Sequence, residues 1–424
     1  MTEHGTFQNQ PVLRDMRRKP KARVDGVFLV LTLIILLFGL VMLLSASYAS
    51  TYYTSEDNNP YSVITGQLLY TALGLAAMFV ISYLPEVMFY KFALPLFFTS
   101  VVLLVAVLMF GSIGGGGRRW LDLIFVRFQP SEVAKFGVIL MYAYIADKVS
   151  KSGSRYDQIK VSPKYISSRK RTDRARSGKF EWLFPYYLRI DFAYTVLPYV
   201  LLLMGVCVLL VAEPHVSACV IFILITGVMM FQSGTRYRFL VILMALAALA
   251  AYVMYKTGIP EDYVKERVII WRELWNSDNP IAVEKGYQVR QSLIAIGSGG
   301  LTGLGLGNSR QKHLYLPEEH NDFIFSIVCE EIGFVGAVLI LLLFALLIIR
   351  GYWLAWNAKS KFSMLVIGGV TTQLAVQVFL NVAVVTNLFP CTGISLPFFS
   401  SGGSALFTQM AAMGMVLALA RRAE

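Results

Sequence analysis

Ten apolar runs, each close to the length that crosses roughly 30 Å of hydrocarbon, constrain this chain more than any other feature. They lie at Gly26 to Ser47, Gly66 to Leu84, Phe92 to Phe110, Pro130 to Ala146, Phe192 to Ala212, Val216 to Phe231, Phe239 to Tyr255, Phe323 to Ile349, Phe362 to Val385 and Ser404 to Ala420. The fourth and sixth are short, which suits a tilted or re-entrant segment. Inside a bilayer every backbone N–H and C=O needs an internal partner, so runs of this length read as helices rather than barrel strands. With 56% hydrophobic and only 15% charged residues the chain is too apolar for an ordinary soluble domain. The expected fold class is an all-α polytopic membrane protein of about ten transmembrane helices.

Lys and Arg set the orientation. They concentrate in the N-terminal stretch 1–25, at Lys91, Arg236, Arg238, Arg350, Lys359 and Lys361, in the tail 421–424, and in the segment 147–191 with Arg169, Lys170, Arg171, Arg174 and Arg176. Those segments are expected on the cytoplasmic side, together with both termini. The segment 147–191 separates helix groups at 26–146 and 192–255, and a third group follows at 323–420. The opposite side carries one long loop, 256–322, between the seventh and eighth helices; loops of that length are usually functional.

Several function classes fall away. The net charge of +12 is explained by topology and anionic lipid, and the basic stretch lacks a nucleic-acid-binding module, so no nucleic acid is expected as a partner. Cys207, Cys219, Cys329 and Cys391 have neither disulfide nor zinc spacing, and four histidines show no ligand pattern. The basic N-terminus does not read as a cleaved signal peptide. The glycine run ending at Gly307 does not match a dinucleotide fingerprint and reads as tight turns in a re-entrant or interfacial loop. No internal repeat is visible, which weighs against an inverted-repeat transporter.

Polar residues gather in four segments at the non-cytoplasmic ends of the helices. They are Gly114-Gly115-Gly116-Gly117-Arg118-Arg119-Trp120 with Gln129-Pro130-Ser131-Glu132-Val133-Ala134-Lys135; Gly286-Tyr287-Gln288 with Gln291-Ser292; Leu316-Pro317-Glu318-Glu319-His320-Asn321-Asp322-Phe323; and Thr392-Gly393-Ile394-Ser395-Leu396-Pro397 with Ser400-Ser401-Gly402-Gly403-Ser404. In this order, across the whole membrane region, they resemble the SEDS family of shape, elongation, division and sporulation proteins. The third and fourth segments, with Leu43-Leu44-Ser45-Ala46-Ser47 ending the first helix, look closer to the division and sporulation branch (FtsW-like) than to the elongation branch (RodA-like). Departures from the family pattern are Ser401, where an aromatic is common, Thr392, where some division members carry lysine, and His215, where an acidic residue often follows the proline.

The resemblance implies a peptidoglycan glycosyltransferase that polymerises lipid II at the outer face of the bacterial cytoplasmic membrane, for septal synthesis in division or sporulation. A lipid II flippase and the elongation-type polymerase are the rival readings. The 4-hydroxyl of the acceptor's GlcNAc would attack the anomeric carbon of the donor's MurNAc and displace undecaprenyl pyrophosphate. That step needs a base, positive charge for the leaving group and a groove open to lipid. The implied partners are lipid II, membrane lipid, a class B penicillin-binding protein and other division or sporulation proteins.

Asp322 is the candidate base, placed where the long loop enters the eighth helix; Asn321 and Asp322 are equally good helix-capping types, and only the resemblance favours catalysis. The candidate substrate-binding residues are Arg118, Arg119, Glu132, Lys135, Gln288, Gln291, Lys312, Glu318, His320 and Ser400. Arg118 and Arg119 offer forked donors to pyrophosphate or anchor the membrane interface beside Trp120. Lys135 and Glu132 form a structural ion pair or line a cavity. Gln288 and Gln291 fall one turn apart on a helix and present amides to sugar or brace the loop, while Glu318, Glu319 and His320 support Asp322 or are simply solvated. No metal ligand set is read; a divalent cation, Mg or Mn, has a natural place only beside the pyrophosphate.

Overall fold

The computed structural model describes residues 24–54, 58–114, 117–123, 126–160, 196–258 and 263–421. The basic N-terminus, the basic cluster 169–176 and the last three residues lie outside the described residues. Among the described residues thirteen α-helices and three short strands follow one another: α1 Gly26–Thr54, α2 Ser62–Ser82, α3 Glu86–Phe110, β1 Ser112–Gly114, β2 Gly117–Leu123, β3 Val126–Phe128, α4 Pro130–Lys160, α5 Leu197–Ala212, α6 Val216–Gln232, α7 Tyr237–Thr257, α8 Tyr263–Glu273, α9 Pro280–Lys285, α10 Tyr287–Ser298, α11 Ile324–Trp356, α12 Lys361–Val385 and α13 Gly403–Leu419.

Each of the ten apolar runs coincides with a helix over its described residues. Six of those helices, α1, α2, α3, α7, α11 and α12, are long and apolar enough to cross a membrane; α5, α6 and α13 are shorter apolar helices. α12 is the centre of the bundle. In its most apolar stretch 78% of residues are buried, against 11% in α7, whose side chains mostly face outward into what would be lipid. α4 packs between α3 and α12, α11 lies between α1 and α12, and α2 pairs with α13.

The expectation of a purely helical chain needs correction. Between α3 and α4 the chain forms a three-stranded antiparallel sheet in the order β1-β2-β3. Leu121 pairs with Phe128 and Asp122 with Arg127, whose guanidinium also sits 5.1 Å from the Trp120 ring centre. Residues 256–322 are likewise more than loop, because α8, α9 and α10 form within them. The Asn279 side chain caps α9 by accepting from the Ile281 N–H at 3.1 Å. The run at 299–316 is turns, as expected of its glycines. It packs on a kink in α11 at Gly333, whose φ of +69° suits glycine and where an added Cβ would collide with the Gly303 nitrogen. α4 is the other difference, running past Ala146 to Lys160 into the segment expected to be a loop.

Side-chain bonds pin one end of the bundle. Asp25 accepts from the Phe28 N–H at 2.8 Å and from Arg350 Nε at 3.1 Å, joining the start of α1 to α11. Ser360 bonds Glu86, and Lys361 donates to the Ser233 carbonyl at 3.1 Å. The residues with chemical potential collect at the opposite end.

Candidate active site

Asp322 stands where the third and fourth polar segments are stitched together. The Ser400 hydroxyl donates to the Asn321 carbonyl and accepts from the Leu396 N–H, each at 2.7 Å. The Ser401 N–H donates to the His320 carbonyl at 2.8 Å. From α12, the Asn381 amide donates to the carbonyls of Asp322 and Ile394, each at 2.7 Å. From α2, Gln67 accepts from the Gly402 N–H at 3.2 Å. Ser400 is therefore a brace of the site, its hydroxyl committed to backbone.

Gly393 faces the carboxylate. Its φ of +67° is strained for any side chain, and a Cβ there would lie 3.2 Å from Asp322 Oδ2. Desolvation, with Glu318 nearby, pushes Asp322 up to about 6, while Arg267 and then Arg119 pull it down. Such a carboxyl is ionised at neutral pH yet basic enough to accept a proton. The capping alternative finds no support in position, since Phe323 is the residue that precedes the first turn of α11.

Strand β2 bulges at the two arginines that the sequence places side by side: Arg118 pairs with Ile113 and Trp120 with Ser112, which leaves Arg119 as the unpaired extra residue. Arg118 is exposed, whereas Arg119 is half-buried and donates to the Pro214 carbonyl in the turn between α5 and α6. Two polar groups of that turn crowd around it. Glu213 is pushed up to about 8 by burial against the pull of Arg119, and His215 is pushed down to about 3 by burial, with Arg119 and Lys135 adding to it. Arg119 Nε, Glu213 Oε1 and His215 Nδ1 are buried without a hydrogen-bond partner among the described residues.

Beyond Gly393 lies a cavity of about 50 Å³ lined by residues of α4, α6, α12 and the fourth segment, among them Ser131, Lys135, His215 and Gln377. A second, smaller cavity shares Glu132, Gln377 and Ser395 and reaches Gln409 of α13. Both readings of Lys135 hold at once. Its buried ammonium is 2.9 Å from both Glu132 oxygens, as a charge inside an apolar helix requires, and it lines the cavity.

Other sequence candidates lie further out. Gln288 on α10 donates to the Pro317 carbonyl at 3.1 Å, bracing the acidic loop, and Gln291 is half-buried one turn along. Glu318 is exposed and bonds the Asn321 amide; buried Glu319 bonds His320 Nδ1 at 3.2 Å. Lys312 belongs to a different cluster: its ammonium is 2.9 Å from Glu331 and 2.6 Å from the Gly307 carbonyl, close to Ser45. Beside it Glu330 accepts from Ser309 and from the Arg310 N–H at 3.1 Å. Lys312, Glu330 and Glu331 fix the turn region onto α11 and are not gathered with Asp322. No group of three His, Cys, Asp or Glu side chains suited to a metal occurs among the described residues.

Sequence reasoning missed Arg267, which acts on both Asp322 and the Cys391 thiol from α8, and the buried amides of α12. The amides did carry a signal. Gln373, Gln377 and Asn381 recur every four residues in an apolar run, and all are buried.

The model of the FtsW, RodA and SpoVE family, described as "Cell cycle protein", matches residues 26–424. The chain belongs to this family. A probable peptidoglycan glycosyltransferase FtsW of Geobacter sulfurreducens is 32% identical over 403 residues, covering 94% of this chain and 96% of the relative. The peptidoglycan glycosyltransferase MrdB of Escherichia coli is 32% identical over 400 residues, covering 94% of each. Stage V sporulation protein E of Bacillus subtilis is 32% identical over 403 residues, covering 95% of this chain and 98% of the relative. Equal identity gives no branch an advantage. A solved structure described as "Structural coordination of polymerization and crosslinking by a peptidoglycan synthase complex" aligns with a TM-score of 0.68 at 26% identity, covering 94% of this chain and 97% of that one. The crystal structure of Thermus thermophilus RodA aligns with a TM-score of 0.61 at 26% identity, covering 94% of this chain and 96% of that one. With its apolar helices, this family member is a multi-pass membrane protein.

Proposed function

We propose that this chain is a peptidoglycan glycosyltransferase that polymerises lipid II at the outer face of the cytoplasmic membrane. The observation that carries the reading is Asp322: a carboxyl at the mouth of a membrane helix, raised to about 6, facing Gly393 and acted on by two guanidiniums. Asp322 takes the proton from the acceptor's 4-hydroxyl as that oxygen bonds the anomeric carbon of the donor. The bond to the pyrophosphate oxygen breaks, and undecaprenyl pyrophosphate leaves with the electron pair. Arg119 and Arg267 supply the positive charge that favours departure. The relatives named peptidoglycan glycosyltransferase support this assignment.

The orientation follows from Lys and Arg: the end pinned by Asp25, Arg350 and Lys361 is cytoplasmic, and Asp322 faces outward. Septal synthesis, in division or sporulation, rests on the form of the third and fourth segments. A class B penicillin-binding protein is the proposed partner, in keeping with the aligned synthase complex. Mg or Mn belongs to the proposal only as a companion of the pyrophosphate oxygens. The test is glycan-chain formation from lipid II by the purified chain, with and without the class B partner. Polymer supports the reading; transbilayer movement of lipid II without polymer supports the flippase instead.

A further inference from the structure

α8 packs mainly on its chain neighbours α7 and α9, with Ile270 and Leu274 buried, yet it carries Arg267, the guanidinium that acts on Asp322. A reciprocal pair of bonds ties it to the bundle. The Trp271 indole N–H donates to the Asn387 carbonyl at 3.0 Å, and the Asn387 amide donates to the Trp271 carbonyl at 3.5 Å.

Asn387 is a firm anchor. It lies just past α12 with a φ of +56°, the left-handed conformation that ends helices and that asparagine adopts more readily than most residues. The turn around it is fixed from two directions. The Leu388 and Phe389 N–H groups return to the Ala383 carbonyl at 2.7 and 3.0 Å, and the Ser292 hydroxyl of α10 donates to the Val385 carbonyl at 2.7 Å while bonding Ser326 of α11 at 2.7 Å.

Four residues separate Arg267 from Trp271, so one helical turn puts them on the same face of α8. Arg267 meets the loop that leads from Asn387 to Gly393: its guanidinium bonds the Cys391 thiol, and a Cβ on Gly393 would lie 3.2 Å from Asp322 Oδ2. We infer that Trp271 and Asn387 are positioning residues for the reaction, a latch that fixes α8 on the end of α12 and so holds Arg267 against Asp322. The inference deepens the polymerase reading above and rests on it. Glu318, Arg119, Arg267 and Cys391 are the charged and titratable groups that act on Asp322. Of the two guanidiniums Arg267 pulls harder, so releasing α8 raises the pH at which Asp322 takes up its proton.

The experiment uses the full chain in detergent with its class B partner and reads the pH profile of lipid II polymerisation. Trp271→Phe keeps an aromatic ring and removes the N–H. It should move the acid limb upward by about one pH unit, in the direction of Arg267→Gln, and the double variant should move it no further than Arg267→Gln alone. Asn387→Gly keeps the left-handed turn, loses the amide and should shift the limb the same way by less; it carries the test where Trp271→Phe folds poorly. An unmoved limb in the folded variant, whatever its Tm, makes the contact structural and overturns the inference. Additive shifts in the double variant also overturn it, because Trp271 would then act on Asp322 without Arg267. Thermal unfolding against pH, each chain compared with the same chain carrying Asp322→Asn, follows the titration without activity: the stability lost as pH rises through the folded pKa should be lost at higher pH in Trp271→Phe. A wild-type chain that forms no polymer defeats the polymerase reading alone, because the unfolding curves still decide the latch.

Discussion

A single amide holds the catalytic backbone in place: Asn381 Nδ2 lies 2.7 Å from the Asp322 carbonyl and 2.7 Å from the Ile394 carbonyl, tying the loop before α11 to the loop before α13. Asn381→Leu would leave both carbonyls without this donor. Each unsatisfied buried group costs about 1 to 3 kcal/mol, so the variant should melt lower and polymerise poorly together. Thermal unfolding in detergent beside polymerisation assays checks this; lost activity at unchanged Tm would separate Asn381 from the scaffold.

The two arginines on β2 should behave differently. Arg119→Ala removes a charge-assisted contact to the donor worth about 1.5 to 3 kcal/mol, or roughly a ten- to hundredfold loss in kcat/KM for lipid II. Arg118→Ala, on the exposed face, should cost little. Equal losses in the two variants would mean that burial at the β2 bulge does not decide which guanidinium meets the substrate.

Lys312 should matter for folding rather than donor use. Its removal strands Glu331 in a buried site, and breaking a buried pair from one side costs about 3 to 5 kcal/mol. Lys312→Met should lower folded yield and Tm while the surviving protein keeps its KM. A raised KM at normal stability would return Lys312 to the substrate site.

Orientation is open to chemical labelling. The native cysteines are buried or half-buried, so background should be low. In intact cells an impermeant thiol reagent should label cysteine introduced at Ser277 and spare cysteine introduced at Ser152. The reverse pattern would turn the site to the cytoplasm.

What could be read from the chain, and what could not, follows from the range of the forces involved. Apolar runs such as 362–385 declare themselves because hydrocarbon tolerates little else than helix. The sheet between α3 and α4 escaped notice because two of its strands are only three residues long and glycines interrupt any alternation. Arg118 and Arg119 are neighbours in sequence, and only the β2 bulge leaves one exposed and the other half-buried. Lys312 finds Glu331 and Asp322 meets Arg267 only after distant segments pack, and no local pattern announces either meeting. Asp322 was legible through the order of four motifs, not through its own surroundings.

If the Asp322 carboxylate accepts the acceptor's proton, its titration also shows in stability. Its folded pKa of about 6 lies above the ordinary 3.8, so protonation favours the folded state and stability falls as pH rises through about 6. Asp322→Asn should therefore be at least as stable as wild type at pH 8. The decisive measurement is glycan-chain formation from lipid II by wild type and Asp322→Asn at matched folded protein with the class B partner. The Asn variant should lose on the order of 10²-fold or more, and wild type should show an acid limb near pH 6. Near-normal polymer from the folded Asn variant would contradict Asp322 as the base and send the search for it to Glu318, Glu319 and His320.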